Sequence, residues 1–343
     1  MGWQPGLRNL ITDISGLRVG QFHDASLRSG VTVILPAAPA RAAADLRGGA
    51  PGTRETETMA DASIANEIHA ITLSGGSAFG LDSATGVQSF LREAGVGFPV
   101  GPVRVPIVPQ AILFDLLNGG SKDWGRHSPY RDMAYEAAAT ASPDFALGTA
   151  GAGYGATVAW AKSGQRMMGG LGSASLVRDD GLAIGALVAV NSVGTVTVAD
   201  TPHFWAAPFE LAGEFGGLGF PAIAPEAASE PVLKTGPMQN TTLAVVATNA
   251  ALTKGELRRL AVMAQTGLAR AIVPVHTPFD GDIVFTLSTG ERLLDNPAFD
   301  LTELGALAAN TLARAVARGI YEAGGIPGAA DVPAYRDVFG RSA

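Results

Sequence analysis

The 343-residue sequence has no cysteine. Disulfides, thiolate metal sites and a cysteine nucleophile are therefore excluded. Its five histidines (His23, His69, His127, His203 and His276) are scattered, with no HExxH or other paired-ligand spacing, so neither a metal nor a cofactor is expected. Charge is sparse: 16% of residues are charged, the net charge is −7 and the sequence pI is about 5.3. The absence of a Lys/Arg cluster argues against a nucleic-acid partner. No stretch approaches the roughly 20 uninterrupted apolar residues of a membrane span, so no membrane partner is expected. The opening MGWQPGLRNLITDI lacks the apolar core of a signal peptide, which predicts a cytoplasmic location. No fixed-period repeat, Pro/Ser linker or charge block divides the chain, and a single domain over 1–343 is expected.

What the chain does have is apolar residues, 47% of the total, and 44 glycines. That is enough for a large core and a subunit interface. Leu17–Gly20 and Val31–Leu35 read as strands joined by a hairpin-like turn, and Arg41–Met59 as a long polar loop. Ala70–Leu73 is a short buried strand running into a helix over about Ala78–Glu93. Val105–Phe114 is strand-like, and Arg131–Ala141 is an alanine-rich helix. Strands are expected at Gly153–Val158, Ala174–Leu176, Gly185–Val190 and Thr195–Ala199, with a short helix or loop at Ala206–Phe215. Gly216–Gly236 reads as a loop ahead of a core strand, Thr242–Ala247. Thr253 and Glu256 form a capping box for a helix reaching about Ala271, with Leu257, Leu260, Ala261, Ala264 and Leu268 on one face. A strand at Ile283–Leu287 and a helix at Leu301–Arg318 complete the chain. Strands and helices are intermixed throughout, which makes the class α/β or α+β.

The tripeptide Asn240-Thr241-Thr242 joins the soft polar stretch Glu230–Gln239 to the apolar run Leu243–Ala247. A hydroxyl residue thus opens a core strand directly after an exposed connector. If the 240–241 bond breaks, Thr241 carries a hydroxyl and a free α-amine of reference pKa about 7.7–8.0, which can serve as its own base. Alone, Asn-Thr-Thr at a strand start reads as turn chemistry. Asp280-Gly281-Asp282 reads likewise as a tight turn before a strand, and Asn191 as a turn former at a strand end. Gly75, Gly76, Gly151 and Gly153 allow close backbone approach. No Walker lysine follows them, so packing accounts for them better than phosphate binding.

Six motifs carry a resemblance. In chain order they are GGSAFGLDSATGV (75–87), GAGYGATV (151–158), GGLGSAS (169–175), AVNSVG (189–194), NTTLAVVATNA (240–250) and HTPFDGDIVF (276–285). They resemble peptidase family S58, a group of self-processing peptidases and amidases that includes L-aminopeptidase/D-esterases, β-peptidyl aminopeptidases and nylon-oligomer hydrolases. The resemblance implies an αββα sandwich of the aminopeptidase/ornithine-acetyltransferase type, an N-terminal-nucleophile hydrolase. It implies self-cleavage between Asn240 and Thr241 into chains 1–240 and 241–343, with Thr241 then attacking amides or esters to form an acyl-enzyme. It gives Asp280 and Asp282 a place beside the threonine, with Asp282 touching its amine, and makes Asn191 an oxyanion donor. The partner it implies is a short peptide or oligoamide, such as a 6-aminohexanoate oligomer, and the assembly a tetramer of processed protomers.

The chain departs from the family at two places. Phe114 precedes Asp115 where a tyrosine is common. Ala159-Trp160 follows GATV where a lysine is common, and Lys162 supplies the ammonium only if the strand bulges or ends early. A larger, more apolar pocket at Phe114 and Trp160 is expected. A carboxylate for a substrate ammonium has three candidates, Glu55, Glu57 and Asp82. Two other readings remain open at this point: acetyl transfer of the ornithine-acetyltransferase type, and an uncleaved binding protein.

Overall fold

Successive residues of the strand Thr241–Ala250 are buried on both of its faces. Such a strand needs a layer above it and another below. The computed structural model, which describes residues 2–161, 164–234 and 240–340, supplies both. Ala244 and Val246 pack with helix α3 (Lys254–Ala271) and helix α4 (Pro297–Tyr321), whereas Leu243, Val245 and Ala247 meet a second sheet.

Among the described residues, the first sheet has six strands in the order Trp3–Gln4, Gly170–Arg178, Ala183–Asn191, Thr241–Ala250, Ile283–Arg292 and Arg41–Leu46. Its pairings are antiparallel except that of Thr241–Ala250 with Ile283–Arg292, which is parallel and bridged by α3. The second sheet has five strands, in the order Leu17–Asp24, Ser29–Pro36, Ile71–Ser74, Gln110–Ile112 and Thr53–Arg54. Its outer face carries α1 (Ser83–Glu93) and α2 (Tyr130–Ala139), packed through Val33, Ala84, Val87, Ala134 and Ala137. The order of layers is helix, sheet, sheet, helix, which is the expected αββα sandwich.

The α3 expectation holds in detail. Thr253 Oγ1 accepts from Glu256 N at 3.3 Å and Glu256 Oε2 accepts from Thr253 N at 2.8 Å, while all five residues of its apolar face are buried. Several expectations need correction. Arg41–Leu46 is an edge strand rather than loop, held in register by Ile283–Ser288. Val105–Phe114 pairs only at Gln110–Ile112 in the second sheet, because Pro106 and Pro109 remove ladder donors. Gly151–Gly153 is a 3₁₀ turn, and the strand there begins only at Thr157. Ser77–Asp82 is likewise 3₁₀ before α1 starts. Thr195–Ala199 makes isolated bridges instead of a strand, Thr195 with Ala159 and Val273 and Thr197 with Phe204.

Candidate active site

Topology brings the pieces together. Parallel neighbours begin at the same end of a sheet, so the residues entering Thr241–Ala250 and Ile283–Arg292 lie side by side, and Asn240 bridges to Asp280. The antiparallel neighbour Ala183–Asn191 finishes at that same end, where Asn191 stands opposite Thr241. Residues far apart in sequence thus meet at one edge: Asn191, Asn240, Thr241, Asp280 and Asp282, all almost fully buried.

The Asn240 carbonyl oxygen accepts hydrogen bonds from two donors. One is Thr241 Oγ1, and the other is the backbone N–H of Gly281, at 3.0 Å. Two donors on one carbonyl draw electron density from its carbon, and the Gly281 N–H suits an oxyanion in its place. Gly281 lies so close that a Cβ there would stand 2.7 Å from Thr241 Oγ1 and from Ala50 O. A second loop holds this turn from outside: Ala50 N donates to Asp280 O at 2.8 Å and Arg47 N to Asp282 O at 2.9 Å. Gly48 is packed onto the same turn, where a Cβ would overlap Asp282 N and Asp280 O.

The two carboxylates have different tasks. Asp282 Oδ1 accepts from Thr242 N at 2.8 Å, while Oδ2 accepts from His276 N at 3.0 Å and lies 2.9 Å from His276 Nδ1. Asp280 accepts from Val193 N at 3.2 Å and from the Thr277 amide and hydroxyl at 3.1 and 2.6 Å. Burial, with the Asp282 charge beside it, pushes the Asp280 carboxyl up to about 6.

Asn191 is fixed through its amide. Its Oδ1 accepts from Thr157 N at 3.0 Å and from Lys234 Nζ at 3.3 Å, and its Nδ2 donates to Phe114 O at 3.0 Å. Both partners of Oδ1 are donors, which sets the amide's orientation and turns the NH₂ toward Phe114. Lys234 was not singled out from the sequence. Its Nζ also donates to Thr157 O at 2.7 Å and Thr157 Oγ1 at 2.9 Å, and burial lowers its pKa to about 7 against the attraction of Asp280. Lys234 Nζ thus reaches the GATV motif from the stretch just ahead of Asn240. The available signal was scarcity: the chain has four lysines, and this one follows Pro-Val-Leu close to the tripeptide. Gly281 and the Arg47–Ala50 loop were also missed as parts of the site, because their contribution is made by backbone.

A cleft of about 520 Å³ adjoins Thr241 and Asn240, with Ser77, Leu81, Ile112 and Phe114 in its wall. Phe114 thus reaches the site. Trp160 does not share this wall; it packs edge-on to Phe339, 6.4 Å away, beside the helical core. Lys162 lies outside the described residues. Glu55 turns its carboxylate to Val108 N at 2.8 Å, Glu57 borders a different cavity beside Lys254 and Arg258, and Asp82 pairs with Arg131 at 2.9 Å.

The family model for peptidase family S58 matches residues 9–333. A Mycobacterium tuberculosis protein named as an uncharacterized aminopeptidase is 41% identical, across 96% of this chain and 98% of its own. A 6-aminohexanoate-oligomer endohydrolase of Kocuria sp. is 30% identical, across 90% of this chain and 82% of its own. Among solved structures, a Burkholderia sp. β-aminopeptidase superposes with a TM-score of 0.69 at 22% identity, covering 94% of this chain and 89% of its own. The L-aminopeptidase D-Ala-esterase/amidase of Ochrobactrum anthropi, described as a variant of the Ntn hydrolase fold, gives 0.68 at 20% identity, covering 100% and 97%. These two likenesses speak for the fold.

Proposed function

The chain belongs to peptidase family S58 and is a hydrolase of amide bonds, and on that premise we propose that it cuts itself between Asn240 and Thr241 and uses the freed Thr241 as its nucleophile. One observation carries the reading: the Asn240 carbonyl lies against the Thr241 hydroxyl while the Gly281 N–H holds its oxygen. In self-cleavage, Oγ1 adds to the Asn240 carbonyl carbon and the oxyanion rests on Gly281. The C–N bond then breaks as the Thr241 nitrogen takes up a proton. Water hydrolyses the resulting ester, leaving chains 1–240 and 241–343. In this reading Asp280, its carboxyl raised to about 6, takes up the Oγ1 proton and returns it to the Thr241 nitrogen.

In turnover, the new α-amine accepts the Oγ1 proton as the hydroxyl attacks a substrate amide, and the leaving amine is protonated in return. Asp282, already on Thr242 N, orients the neighbouring terminus. The second N–H of the Asn191 amide is the donor for the substrate oxyanion, with Lys234 and Thr157 holding the amide in place. Short peptides, amino-acid amides and 6-aminohexanoate oligomers are the substrate range. A cytoplasmic tetramer of processed protomers belongs to the same reading.

Intact mass under denaturing conditions tests it. The wild type should give two fragments meeting at 240/241, and Thr241→Ala a single chain of 35.0 kDa without amidase activity. An uncut wild type that still hydrolyses amides would move the chemistry away from Thr241.

A further inference from the structure

Ser77 lines the cleft beside Thr241 with its backbone in the left-handed region, at φ 52°. A serine rarely takes that conformation, whereas a glycine takes it freely. Gly75 and Gly76 stand directly before it, yet the third position keeps a side chain. The turn is held from beneath. Gly75 N donates to Gly30 O at 2.9 Å, Gly76 N to Asp115 Oδ1 at 2.8 Å and Ser77 N to Leu113 O at 3.0 Å. Asp115 is itself buried and accepts from Ser29 Oγ at 2.5 Å, and a Cβ on Gly76 would overlap the Tyr130 ring. Three tied amides and a wedge of buried side chains thus hold Ser77 in a disfavoured conformation, as is common where a residue has work to do. A serine in such a turn ordinarily hydrogen-bonds a nearby backbone group. Ser77 Oγ has no hydrogen-bond partner among the described residues. Thr53 brings a hydroxyl to the same wall from an ordinary strand backbone, so of the two Ser77 alone is kept against a conformational cost.

Hydrogen bonds to one segment register Ser77 against the nucleophile. Leu113 O holds Ser77 N, the next carbonyl, that of Phe114, accepts from Asn191 Nδ2, and Asn191 stands opposite Thr241 in the first sheet. The acyl part of an amino-acid amide carries two polar atoms near the bond to be cut, the carbonyl oxygen and the nitrogen. In the reading above the oxygen goes to Asn191. The nitrogen, set against a wall that includes Leu81, Ile112 and Phe114, loses water and needs an acceptor. A serine hydroxyl has lone pairs for this and accepts from a neutral or a charged nitrogen alike. We propose that Ser77 is a substrate-binding residue whose Oγ accepts a hydrogen bond from the nitrogen of the acyl residue, and so favours acyl groups that carry one. This proposal rests on Thr241 being the nucleophile.

The experiment compares processed wild type, Ser77→Ala and Ser77→Gly on L-leucine p-nitroanilide and on 4-methylpentanoyl p-nitroanilide, which has the same carbon chain and leaving group but no amine. In both variants kcat/KM for the leucine compound, taken relative to the other, should fall about tenfold, the scale of one hydrogen bond to an amine. Intact mass should show both variants cut at 240/241, because Asn240, Thr241 and Gly281 are untouched. Ser77→Gly, relieved of the disfavoured φ, should melt above Ser77→Ala, so that a loss shared by the two belongs to the hydroxyl and not to a weakened fold. An unchanged ratio, an equal loss on both substrates, or a variant that folds but no longer cuts itself would overturn the proposal and leave the hydrolase reading standing. If processed wild type hydrolyses neither anilide, the reading of Thr241 as the nucleophile falls and the proposal falls with it.

Discussion

Lys234 holds an ammonium in a place where burial works against it, among three neutral oxygens and with the attraction of Asp280 opposing that effect. Below about pH 7 it is protonated in folded and unfolded chains alike. Between about 7 and the ordinary lysine value of 10.5 the unfolded chain holds the proton and the folded chain does not, so this group's contribution to stability rises with pH across that window. Measured on unprocessed Thr241→Ala chains, the Tm of Lys234 protein should gain steadily on that of Lys234→Met from pH 7 to 10. A constant difference would contradict the titration. Asp280 has the opposite sense, its carboxyl raised to about 6. The self-cleavage rate of the wild type should fall as pH drops through 6, and this inflection should be missing in Asp280→Asn. At Gly281 the prediction is steric: a methyl 2.7 Å from Oγ1 displaces the hydroxyl from its carbonyl. Gly281→Ala should fold and yet process more than about a hundredfold slower, the scale of losing one oxyanion contact.

Elements differ in how plainly the sequence announces them. Thr241–Ala250 and α3 were legible because apolar residues, capping chemistry and the Asn-Thr-Thr punctuation all agree. The hydroxyl, carboxylates and asparagine of the candidate site were picked out by the resemblance of their motifs to peptidase family S58; by residue type alone each reads as turn chemistry at a strand end. Arg41–Leu46 was not legible, since Arg-Ala-Ala-Ala-Asp-Leu has little strand propensity and gains its conformation from pairing with Ile283–Ser288. The Arg47–Ala50 loop that follows it holds the Asp-Gly-Asp turn through backbone groups, which no residue type reveals. Because this loop leaves no room at Gly48, Gly48→Ala should cost about 1–3 kcal/mol, the usual range for overpacking, and slow processing with it. Thermal melts and mass spectrometry of the same samples separate the two effects. Thr253→Ala, which removes the α3 cap far from the chemistry, should cost about 1 kcal/mol without changing the processing rate.

At the scale of the whole molecule, the bond expected to break enters the middle of a sheet. The strand after it is flanked on one side by Ala183–Asn191, from the first fragment. On the other side lies Ile283–Arg292, which itself pairs with Arg41–Leu46 of the first fragment. Fragments 1–240 and 241–343 should therefore co-elute in native gel filtration and separate only on denaturation. Any residues contributed to the cutting geometry come from across the chain, from Gly48 through Phe114, Thr157, Asn191 and Lys234 to Asp282. On the proposed self-cleavage, the reaction would not start until both sheets are assembled, and a misfolded copy would stay in one piece. A gel band at full length would then be a record of a copy that never passed inspection. Once cut, the protein would not return to that state by refolding: unfolded halves would have to find each other as two molecules, which would make maturation a ratchet.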